Sequence, residues 1–100
     1  MNVETTFIQD LVVLTPDVFE DSRGYFFEGY NKNKLSALGI DIEFVQDNQS
    51  FSQRGTLRGL HYQNPPYAQT KLVRVLQGEI MDVAVDLRKD SPTYGQHFTI

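Results

Sequence analysis

The sequence predicts an all-β domain of the sandwich or barrel class, on three observations. Short apolar runs recur along the chain, separated by glycine, proline or polar clusters. Only one stretch, "NKNKLSALG", carries helical spacing, and it is about two turns long. No internal repeat or low-complexity segment interrupts the series.

Taken in order, "TTFIQDLVVLTP" reads as one or two extended pieces closed by Pro16, which has no N–H to give to a ladder. "DVFEDSRGYFFEGYN" turns at Asp21–Gly24 and continues as an aromatic-rich strand from Tyr25 to Tyr30. In "NKNKLSALG" an asparagine stands near the start, Leu35 and Leu38 lie at i,i+3 spacing, and Gly39 is placed to end the helix. "IEFVQDNQSFS", "TLRGLHYQ", "KLVRVLQ" and "EIMDVAVDLR" are further β-type runs, "DSPTYG" is a loop, and "QHFTI" starts another strand. The chain stops on that apolar run without turn, cap or polar tail. The expectation is therefore that residues 1–100 form the N-terminal part of a single larger domain.

Composition narrows the function classes. A chain of 100 residues is one domain at most. Its net charge of −4 lacks the basic excess of a nucleic-acid surface, while a few local arginines still suffice for a small anionic ligand. Without cysteine there are no disulfides and no thiolate metal sites. The opening "MNVETTFIQDLVVL" is acidic where a secretory signal is basic, and its apolar run is too short for a bilayer. A soluble, cytoplasmic protein with no membrane partner is expected.

The residue best suited to proton transfer near neutral pH is His61, one of only two histidines. Strict alternation sends Arg58 and His61, three apart, to opposite faces of a strand. Gly59 between them permits a bulge or local twist that turns both toward one cavity. In the next strand Lys71, Val73, Val75 and Gln77 share one face, and Leu72, Arg74 and Leu76 the other. Beyond the Gly78–Glu79 turn, Met81, Val83, Val85 and Leu87 are expected to be core. Asp82, Ala84 and Asp86 on the opposite face either line a pocket or meet solvent. Arg23 beside a turn glycine suits a phosphate, with Phe26 and Glu28 on one face of the strand that follows. Gln46 and Asn48 share a face and suit sugar hydroxyls. Against each of these stands the plain alternative of a solvated or structural side chain. A metal is not expected, since His61 is followed by Tyr62 and Gln63 and His97 is far off in sequence.

The blocks "VFEDSRGYFFEGYN", "FVQDNQSFSQRGTLRGLHYQ", "AQTKLVRVLQGEIMDVAVDLR" and "SPTYG" resemble the dTDP-4-dehydrorhamnose 3,5-epimerase family of deoxysugar synthesis, in order and over nearly the whole chain. The resemblance implies a cupin-type jelly roll, usually a homodimer, that epimerises C3 and C5 of a dTDP-4-keto sugar without cofactor. It implies that His61 is the general base and that Lys71 stands by the C4 oxygen of the enolate. Arg58, Gln46 and Asn48 then match substrate contacts, and Arg23, Phe26 and Glu28 match residues at the nucleotide end, in part across the dimer. The family's proton-returning tyrosine and the carboxylate that orients its histidine lie downstream of the matched blocks. Tyr62 and Tyr94 do not occupy the tyrosine's place, and Asp82 is offered only as a support for His61. The resemblance leaves as alternatives a related sugar-nucleotide 3-epimerase or ketoisomerase, or a fragment that folds or dimerises without turnover.

Overall fold

The computed structural model describes all residues from Met1 to Ile100. Six short strands form three separate antiparallel ribbons, and one helix joins them, so the chain is β-rich as its sequence predicts.

β1 (Asn2–Thr5) pairs with β2 (Val12–Thr15), with Val3 opposite Leu14 and Thr5 opposite Val12. The Thr6 hydroxyl closes their connection by donating to the carbonyls of Ile8 and Leu11 at 3.0 and 2.9 Å. This closure tucks Ile8 inward as one of the few buried side chains.

β3 (Val18–Asp21) and β4 (Gly24–Phe27) form a hairpin at the predicted turn, with Phe19 opposite Phe26. α1 (Lys32–Ala37) follows. Asn31 is its N-cap, accepting from the Lys34 N–H at 3.1 Å and so satisfying one of the first-turn donors. At the other end the Ile40 N–H bonds the Leu35 carbonyl at 2.9 Å and the Gly39 N–H bonds that of Ser36 at 3.0 Å, a Schellman closure. Leu35, buried at 1% exposure, is the residue this helix gives to the core. Glu28 fixes the approach to α1, receiving the Lys34 ammonium at 2.8 Å and the Asn31 amide at 3.1 Å. These two bonds hold its carboxyl below the usual carboxylate range.

β5 (Val83–Val85) and β6 (His97–Thr99) make the third ribbon, with Ala84 opposite Phe98. It docks on the β1–β2 connection. Phe7 packs edge-on against Phe98 at 6.3 Å, and Arg88 reaches the Asp10 carboxylate at 3.2 Å and the Gln9 carbonyl at 3.0 Å.

Two expectations need correction here. The runs around 42–52, 56–63 and 71–77 take no ladder, and between residues 41 and 80 the only backbone hydrogen bonds close turns, Thr56 to Gln53 and Tyr67 to Asn64. A strand sequence lacking a neighbour has nothing to pair with, whatever its propensity. The side chains expected as core around β5 are also not uniformly inside. Met81 is 78% and Leu87 50% exposed, whereas Asp86 is 4% exposed.

That burial is possible because the Asp86 carboxylate is fully occupied. Arg88 donates through Nε at 2.9 Å and Nη2 at 3.0 Å, Ser91 Oγ at 2.6 Å and Thr93 Oγ1 at 2.7 Å. These donors, Arg88 foremost, hold the carboxyl far below the ordinary carboxylate range. The signal was legible as the run Asp86, Arg88, Ser91, Thr93 around a turn, but alternation alone put Asp86 on an ambiguous face. No helix is long and apolar enough to cross a membrane.

Candidate active site

His61 and Lys71 come together. Both line a cavity of about 400 Å³, with Tyr62, Gln63, Ala68 and Gln69 as the other walls. The cavity lies between two arms of the chain, residues 61–63 and 68–71, joined by a turn that the Tyr67 N–H closes on the Asn64 carbonyl at 2.8 Å. Pro65 and Pro66 occupy that turn, where a missing N–H costs no ladder bond.

Local sequence explains how these two residues come to share a cavity. The Asn64–Tyr67 turn folds residues 68–71 back toward residues 61–63, so side chains ten apart in sequence line one cavity. Further along, the 71–77 segment is anchored to β4. Arg74 lays its guanidinium 5.6 Å from the Phe27 ring centre and fills the space beside Gly29 that a Cβ would need.

Arg58 is not part of this cavity. Its Nε donates to Ser52 Oγ at 2.7 Å and its Nη2 to the Phe51 carbonyl at 3.1 Å. Gly59 does break the alternation, with φ at +119°, a conformation that side-chain-bearing residues rarely adopt. Even with that break the two side chains separate, Arg58 going to the 51–52 loop and His61 to the cavity. Asp82 spends its backbone pairing Ile100, and its carboxylate makes no bond to His61.

The other candidates gather in two places. Arg23 and Phe26 line a second cavity of about 410 Å³ on the β3–β4 hairpin, with Phe19, Glu20, Asp21 and Tyr25. There the Arg23 guanidinium is paired with Asp21, Nη2 to Oδ2 at 2.6 Å, which lowers the Asp21 pKa and raises that of Arg23. Glu28 is not in that cavity, being engaged by α1. Gln46 and Asn48 bond each other, Nε2 to Oδ1 at 3.2 Å, as residues two apart on one extended face can.

Gln63, Ala68 and Gln69 are wall residues that the sequence reading passed over. No group of three or more His, Asp or Glu side chains assembles anywhere in the chain.

The sequence model of the family described as dTDP-4-dehydrorhamnose 3,5-epimerase matches residues 5–100. The enzyme of that name from Shigella flexneri is 56% identical over 97 residues, 96% of this chain and 54% of its own length. Its namesake from Methanothermobacter thermautotrophicus is 52% identical over 91 residues, 91% of this chain and 49% of its own. The crystal structure of the Bacillus anthracis enzyme, which has TDP and PPi bound, matches with a TM-score of 0.95 at 53% identity. That match covers 99% of this chain and 57% of the other. The chain thus spans about half the length of the curated relatives it matches.

Proposed function

The chain belongs to the dTDP-4-dehydrorhamnose 3,5-epimerase family and has its cupin-type fold, and from that premise we propose that the protein carrying it epimerises C3 and C5 of a dTDP-4-keto-6-deoxy sugar. The observation that carries the proposal is the shared cavity of His61 and Lys71.

The chemistry follows from the 4-keto group, which acidifies the hydrogens on both neighbouring carbons. The His61 imidazole takes the proton from C3 or C5. The C–H electron pair moves into the carbon–carbon bond, and the carbonyl pair moves onto oxygen to give an enolate. The Lys71 ammonium is the cation facing that developing charge, where a fixed positive group lowers the barrier most. Return of a proton to the opposite face inverts the centre, and a single base serves both carbons because both flank one carbonyl. The sequence of steps is redox-neutral and calls for no cofactor or metal.

The remaining residues serve binding in this reading. Arg23 and Phe26, with Glu28 behind them, take the nucleotide end. The hairpin cavity offers a guanidinium and aromatic faces to a diphosphate and a base, and the Bacillus anthracis relative binds TDP. Arg23 then exchanges Asp21 for phosphate oxygens. Gln46, Asn48 and Arg58 contact the sugar nucleotide. The protein works as a cytoplasmic homodimer.

The test is proton exchange in deuterated water with dTDP-4-keto-6-deoxyglucose and an active protein that carries this chain. Deuterium is expected at both C3 and C5, and chelator treatment is expected to leave the rate unchanged. Incorporation at C3 alone points to a 3-epimerase. Activity lost to chelation and restored by one metal contradicts the metal-free mechanism.

A further inference from the structure

Gln69 stands beside Lys71 in the cavity and has no partner of its own. The two lie two residues apart in the chain. Both reach the cavity that His61 enters from the other arm. Gln63, the other amide of the cavity, is likewise unbonded but stands two residues from His61, while Gln46 holds Asn48, Arg58 holds Ser52, and Arg23 holds Asp21. The Gln69 amide bonds nothing in the chain, although it carries two donor hydrogens and an acceptor oxygen. Ala68 next to it is a small wall residue, which leaves room at the cavity edge.

We infer that Gln69 is a specificity-determining residue that binds the hydroxyl on the carbon next to the substrate's carbonyl. The inference rests on the epimerase reading above. A hydroxyl is both donor and acceptor, and a primary amide matches it on both counts. A neutral amide also leaves the enolate charge to Lys71, which a carboxylate at this position would oppose. In a 4-keto-6-deoxy sugar C5 carries the methyl group, so the hydroxyl beside the carbonyl is the one on C3. That hydroxyl is on the carbon adjoining the carbonyl that Lys71 serves, and Gln69 is the cavity amide nearest Lys71 in the chain.

The experiment compares wild type and Gln69→Leu on the natural 4-keto substrate and on its 3-deoxy analogue, reading deuterium exchange at C5. In wild type, loss of the hydroxyl is expected to lower kcat/KM roughly 3–10-fold, as for one hydrogen bond. In Gln69→Leu the two substrates are expected to become equal, because the group that told them apart is gone. Nucleotide affinity and the circular dichroism spectrum are measured for both proteins to establish that the variant is folded. A Gln69→Leu protein that retains the wild-type discrimination, or slows on both substrates by one common factor, overturns the assignment. Wild-type protein that exchanges neither C3 nor C5 on the natural substrate overturns the epimerase reading, and this inference with it.

Discussion

Arg58 and His61 are three residues apart and end in different places, Arg58 on Ser52 and the Phe51 carbonyl and His61 in the cavity, with Gly59 between them at φ +119°. A Cβ at Gly59 would stand 3.5 Å from His61 Nδ1, in ordinary contact, so the cost of a side chain there is mainly backbone strain. Gly59→Ala is expected to destabilise by about 1–3 kcal/mol. It should also shift the His61 ring and lower kcat for exchange more than nucleotide affinity. Equal stability and an unchanged kcat would show that the local backbone tolerates a side chain. The chemical residue types were legible in sequence at this scale. His61 stood out as the side chain that titrates near neutral pH, while its role as base and that of Lys71 came from the family resemblance. Their companions were not legible in the same way, since Arg58 was set beside His61 and Gln69 was passed over. Alternation gives a side chain's phase but not which of two loops its end will reach.

The elements are held by a few specific braces, each open to substitution. Arg74 lies over Phe27 and occupies the space beside Gly29, joining the 71–77 segment to β4. Gly29→Ala displaces that flexible guanidinium and should cost up to about 1 kcal/mol, the worth of an exposed cation–π contact. Because Arg74→Ala removes the same contact, the double variant should be no less stable than either single one. Full additivity in chemical denaturation would mean that the two residues do not act through one brace. The Asp86 knot ties the loop of the β5–β6 ribbon in a different way, through a carboxylate that must stay charged. Its folded pKa lies below the ordinary 3.8, so its contribution is complete above that value and is lost as pH falls below it. Chemical shifts of Val83 and Val85 followed from pH 6 to pH 2 should report loosening of the ribbon on the acid side. Asp86→Asn should abolish that acid dependence, and a variant that keeps it would place the titrating group elsewhere. Turns and caps were the most legible elements: Asn31, Gly39 and the Asp21–Gly24 hairpin need only local chemistry. The strands predicted from 42 to 77 depended on partners, which a propensity pattern does not contain.

Across the whole molecule the surface is large for the mass. The accessible area is 9208 Å², against about 5,800 Å² for a compact monomer of this size. The radius of gyration is 15.5 Å where a compact 100-residue domain has about 13 Å. Much of the excess is apolar and unpaired, with Val45, Phe51 and Leu57 each at least 85% exposed. Such edges and faces recruit other chains. The 100-residue chain alone is therefore expected to self-associate or to leave residues 41–80 unprotected in amide exchange, and to lack turnover. A monodisperse, well-protected and active monomer would contradict this. The β class was legible from the recurrence of short strands, and the family resemblance added the architecture that these isolated ribbons do not display by themselves. The central claim is that one imidazole, facing Lys71 across a cavity, abstracts both protons. It is tested most directly by deuterium exchange at C3 and C5 in an active protein carrying this chain, with His61→Asn beside wild type. Exchange at both carbons is expected to fall together by about 10²–10⁴-fold with nucleotide binding retained. Exchange that persists at the wild-type rate at either carbon would contradict the claim.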